Sequence, residues 1–129
     1  MDPRQIKHLF LLAGIFLPVL TIAATEADFE VETTKNLVNL CSAAPDDPLF
    51  DKAIHFCHGY LVGAFHYHMA ENKGPDAAPL VCFPKPEPTR NEIIGKILVW
   101  IQQHPQYDQE LPVETEFRAL HALWPCKKQ

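Results

Sequence analysis

The chain has 129 residues, a formal charge of −5 and 47% hydrophobic residues, which is enough apolar material for one packed domain. The acidic balance argues against nucleic acid as a partner, because no basic patch is present to hold phosphates, and a basic protein surface would be steered in favourably.

The chain opens weakly basic with Arg4 and Lys7, then runs uncharged from Leu9 to Ala23. These are the parts of a secretory signal peptide, assigned to residues 1–24, with Ala23, Ala24 and Ala27 offering cleavage points. The apolar run is shorter than the roughly 20 residues of a spanning helix. Cleavage leaves a more acidic mature domain, residues 25–129, exported to an oxidising compartment. Cys41, Cys57, Cys82 and Cys126 all follow the signal, so two disulfides are the simplest count. Four cysteines allow three connectivities, and their spacing fits no zinc template.

After a polar lead-in, Leu37, Leu40 and Cys41 recur at helical spacing behind a capping threonine and predict a short first helix. Asp47 followed by Pro48 predicts the start of a second, from about Leu49 to Glu71. Its apolar stripe is Phe50, Ile54, Cys57, Leu61, Ala64, Phe65 and Met69. Gly59 and Gly63 share a face and weaken the helix, so another helix is expected to lie close against that side. Between Asn72 and Pro88 repeated prolines exclude a regular element and predict a long loop pinned at Cys82, a candidate contact surface. Thr89 and Glu92 form a capping box that opens a third helix, with Ile93, Ile94, Ile97, Leu98, Trp100 and Ile101 as its apolar face. That helix should stop near Gln103, ahead of Pro105. A fourth begins around Pro112, carries Phe117, Leu120 and Leu123 inward and ends at Trp124-Pro125-Cys126, where Lys127 and Lys128 suit the negative helix end. No strand pattern appears. The predicted class is an all-α, four-helix, disulfide-stapled domain.

The segment Phe56 to His68 concentrates three histidines, two tyrosines and a cysteine. On a helix His55 and His66 point the same way but stand roughly 16 Å apart, while His66 and His68 diverge by about 200°. Only His55 and His58 could share an ion, with Asp51 assisting, and a chance surface pair is the favoured reading because a metal site needs more ligands. Cys57 and His58 face different directions and cannot form a nucleophilic pair, and oxidation of Cys57 would remove its nucleophilicity. Asp46 with Asp47 and Glu114 with Glu116 lie at helix starts, where they complement the dipole. Tyr60, Tyr67, Trp100 and Trp124 read as core or core-edge residues. The expectation is a non-enzyme without metal or cofactor.

Leu40-Cys41, the block Phe56 to Gly63, Cys82-Phe83-Pro84, Trp100-Ile101, His104-Pro105 and the closing Ala119 to Cys126 together resemble the Rap/Tai family of immunity proteins, from about Thr33 to Cys126. The resemblance implies a small, exported, helical, disulfide-bonded protein. In the bacterial periplasm it would bind a peptidoglycan amidase effector of a type VI secretion system and block its Cys-His cleft, and dimers occur among members. The family's motif residues fall here on the four cysteines with Gly59, Tyr60, Gly63, Trp124 and Pro125. The expected bridges are Cys41–Cys57, joining the first two helices in an offset packing, and Cys82–Cys126, tying the loop to the last helix. Partner contacts are placed on the loop 72–87, at Asp76 and Glu87, and on the acidic helix starts. The alternative is a non-enzymatic periplasmic binding protein, or an acid-stress chaperone-like helical protein whose six mature histidines charge and loosen it, with no toxin partner.

Overall fold

The computed structural model describes residues 23–127, so most of the expected signal segment, residues 1–22, and the last two residues, Lys128 among them, lie outside the described residues. The described chain is all-α, with α1 at Thr34–Cys41, α2 at Phe50–Glu71, α3 at Arg90–Gln102 and α4 at Pro112–Leu123, and with 3-10 turns at Glu26–Glu30 and Pro105–Tyr107. Extended pairing among the described residues is limited to one isolated bridge, Val81 with Pro125. No helix among them is long and apolar enough to cross a membrane.

The starts of α1 and α3 follow local chemistry. Thr33 accepts from the Asn36 amide while Asn36 reaches back to the Thr33 amide, and Thr89 and Glu92 make the same reciprocal pair. The start of α2 departs from expectation. Its cap is Leu49, with no side-chain bond, because the Asp47 carboxylate is committed to a turn and to an earlier segment. One Asp47 oxygen accepts from the Leu49 amide and the other from the Ala24 amide, both at 2.8 Å.

That earlier segment is the second departure. The lead-in is folded onto the core: Ala24 and Val31 are buried, and Phe29 meets Phe56 edge-on at 5.5 Å. Asp28, also buried, accepts from the Asn36 and Asn39 amides at 3.0 and 2.9 Å and from Thr25. Burial pushes its carboxyl up, but these donors outweigh that and hold it below its ordinary value. Val31 closes the turn at φ 51, a left-handed conformation that disfavours a β-branched residue and is held here by packing.

Two clusters make the core. One joins the lead-in, α1 and α2 as far as its middle through Leu37, Leu40, Ala53, Cys57 and Leu61. The other joins α3 and α4 through Ile97, Ile101, Ala119, Leu120 and Trp124. A polar clasp ties α1 to α4. The buried Thr34 and Thr115 hydroxyls lie 2.7 Å apart, and Thr34 donates on to the Glu110 carbonyl at 3.0 Å. A Cys41–Cys57 bridge with Cα atoms 5.2 Å apart crosses the first cluster, and Cys82–Cys126 at 4.9 Å closes the loop onto the end of α4. The first bridge meets α2 in its third turn, so α1 packs against α2 in the offset manner it requires.

The stripe on α2 is buried at Cys57 and Leu61, but Met69 is 52% exposed and Tyr67 67% exposed. A helix of 22 residues outruns the 8-residue α1 it packs on, and its last turns project past the core.

The expected close approach at Gly59 and Gly63 is absent. A Cβ placed at either glycine would meet nothing within 4 Å. Gly59→Ala and Gly63→Ala should therefore each stabilise the domain by about 0.5–1 kcal/mol through helix propensity alone. Urea unfolding midpoints check this, and a loss of stability in either variant would mean that the face is covered.

Candidate functional site

The second half of α2, the start of α3 and the body of α4 diverge around a cavity of about 240 Å³. Helical spacing sets its walls: Leu61, Phe65 and Met69 repeat every four residues along α2, and Ile93, Ile94 and Ile97 face them from α3. Phe83, Glu87 and Pro88 of the long loop close one side, while His66 and Arg90 also border the space. Glu116 and Leu120 of α4 line it from below.

Glu116 is 1% exposed, and its Oε2 has no hydrogen-bond partner. Burial pushes its carboxyl up to about 8, so it holds its proton at neutral pH. Arg90, the nearby rim cation, is exposed, and the ion pair found among the described residues is Arg118 with Glu110 at 2.9 Å. Tyr60 on α2 has its hydroxyl pushed up by burial and secondarily by the charge of Glu116. Sequence reasoning placed Glu116 among dipole-complementing carboxylates and so missed it. The available signal was spacing: position 116 is four before Leu120 and four after Pro112, on the inward face of α4.

Glu87 sits at the cavity rim and Asp76 in an exposed turn of the same loop. Residues 73–80 are exposed throughout, including Leu80 at 47%. Trp124 is buried, stacks edge-on against Phe83 at 5.1 Å, and its carbonyl accepts from the Cys82 amide at 2.9 Å. Pro125 forms the bridge with Val81, and Cys126 the disulfide, so the closing motif anchors the loop that walls the cavity. Tyr60 packs at the edge of the first core cluster, 6.4 Å from the Phe56 ring.

The histidines are not gathered. Among the described residues no group of three or more His, Cys, Asp or Glu side chains could hold a metal ion. The His55 ring bonds the Asp51 carbonyl at 2.6 Å rather than its carboxylate. None of His55, His58, His66, His68, His104 and His121 is buried. All four cysteines are bridged, which leaves no thiolate.

The arrangement suits binding. It offers an exposed proline-rich loop that carries Asp76 and Glu87, and a recess with one unsatisfied carboxyl oxygen. The family model of the Rap1a immunity proteins matches residues 33–126, from the cap of α1 to the last cysteine. No curated protein and no solved structure matched the chain.

Proposed function

We propose, on the premise that the chain belongs to the Rap1a immunity proteins, that it is a periplasmic immunity protein that binds and blocks a peptidoglycan amidase delivered by a type VI secretion system. The observation that carries this reading is the family match, which spans both disulfides and all four α-helices. Two bridges in so small a domain favour an oxidising compartment. Export would follow cleavage of the signal segment near Ala23. Cleavage after Ala24, the boundary read from the sequence, or after Ala27 would discard the buried Ala24 and its bond to Asp47, whereas cleavage after Ala23 keeps both.

The protein acts by occupancy rather than by chemistry. Its contact surface is the exposed loop 72–87 with Asp76 and Glu87, and the acidic exposed residues Asp46 and Glu114 add to the field that steers a basic effector. Purified mature chain, mixed in equal amount with the exported amidase of its own organism, should abolish cleavage of the peptide cross-links of peptidoglycan. Undiminished cleavage at excess chain would reject the reading. Asp76→Lys and Glu87→Lys should slow association by about three- to tenfold each while leaving the unfolding midpoint unchanged. Unchanged association kinetics in both would move the contact surface elsewhere.

A further inference from the structure

A buried, unpartnered carboxyl is expensive to keep, and an apolar residue at 116 would fill the same space without that cost. Its position gives it a use. Glu116 is the described carboxyl that combines near-complete burial with an orphan oxygen, and it lines a cavity whose other walls are mostly aliphatic and aromatic, with His66, Glu87 and Arg90 at its border. Asp28, equally buried, has all its donors.

We propose that this cavity receives one long basic side chain, lysine or arginine, from the protein partner, its methylene stem between Leu61, Phe65, Ile93 and Ile97 and its cationic head on the Glu116 carboxylate. The proposal deepens the immunity reading and rests on it for the source of the side chain.

Three observations select this occupant. The volume, about 240 Å³, is below the roughly 300–1,000 Å³ of ordinary small-molecule pockets and suits a single side chain. Apolar walls over one terminal acceptor match a side chain that buries its stem and needs a partner only at its tip. The chain's charge of −5 draws a cation in. Folding has already desolvated and positioned the acceptor, so the incoming head gains a charge-assisted bond without ordering Glu116.

The other charged and titratable groups around the site are Tyr60 and His66 on α2, Glu87 in the loop and Arg90 at the start of α3. Glu87 favours entry of a cation, while the exposed Arg90 opposes it. Because free Glu116 is protonated at neutral pH, seating a cation expels that proton. Binding is then coupled to release of about one proton, and affinity climbs about tenfold per pH unit below pH 8.

The test uses the folded chain with n-butylguanidinium and n-butylammonium as side-chain probes, followed by amide shifts in a ¹⁵N titration and by calorimetry in two buffers of different ionisation enthalpy. Probes of so few atoms should saturate in the range of about tens of millimolar. The expected result is saturable shifts at Leu61, Phe65 and Ile97, proton release near one, and at least about tenfold weaker binding in Glu116→Gln. Any of three results would overturn the proposal: no saturation, equal binding by Glu116→Gln, or equal binding of neutral n-butyramide without proton release. None of these touches amidase inhibition, so the subsite and the immunity reading fail separately.

Discussion

Replacing Cys82 and Cys126 together by alanine is expected to cost about 4 kcal/mol, because their bridge closes 44 residues of chain and its loss frees that much unfolded-state entropy. The same treatment of Cys41 and Cys57, which close 16, should cost about 3 kcal/mol from entropy, with a further loss because Cys57 is 1% exposed and its removal leaves a void. A domain of this size has only about 5–15 kcal/mol to lose, so chain lacking both bridges should be largely unfolded at 37 °C. The first pair should also release the loop 72–88, since the Trp124 carbonyl and the Val81–Pro125 bridge are held beside it. Urea unfolding of each double variant measures both effects. A loss below about 1 kcal/mol for the Cys82, Cys126 pair would mean that Trp124 packing alone fixes the loop.

The second large effect is a dependence of stability on pH that runs opposite to acid denaturation. Folded chain holds the Glu116 proton up to about pH 8, whereas unfolded chain releases it near the ordinary value of 4.5. Between these the folded state binds more protons, so the contribution is complete below pH 4.5 and is lost as pH rises through 8. The full swing is roughly 5 kcal/mol at 1.36 kcal/mol per unit, an upper figure because water entering the cavity relieves a buried charge. Glu116→Gln removes the titration while keeping the shape. The difference in unfolding free energy between variant and parent should therefore be small at pH 5 and should grow by several kcal/mol in the variant's favour by pH 9. A pH-independent difference would place Glu116 in contact with solvent.

The contrast between Glu116 and the helix caps marks what the sequence could yield. Thr33 with Asn36 and Thr89 with Glu92 act within a single turn, so α1 and α3 begin where local chemistry starts them. The stripe Leu37, Leu40 and Cys41 is buried as its period required. Features decided across the chain were less visible. Asp47 gave up its expected cap because Ala24, 23 residues earlier, claims one of its oxygens. The lead-in reads as polar because its buried members, Ala24, Asp28 and Val31, are few and separated, and Asp28 is paid for by Asn36 and Asn39 on the next element. Gly59 and Gly63 carry a weak signal that tertiary structure did not use within one chain. At the candidate site the loop was legible from its proline content. The cavity was not, since it exists only where α2, α3 and α4 diverge, and its carboxyl was hidden among the acidic residues that open α4.

The central claim is protection, and contact killing between sibling cells measures it most directly. A strain deleted for this chain and its cognate effector is grown against its parent, once with the parent's type VI secretion intact and once with it disabled. The immunity account predicts that the deleted strain is lysed only by the secretion-competent parent, and that the chain restores survival when exported with its signal segment but not when that segment is removed. Equal survival beside both parents would contradict it.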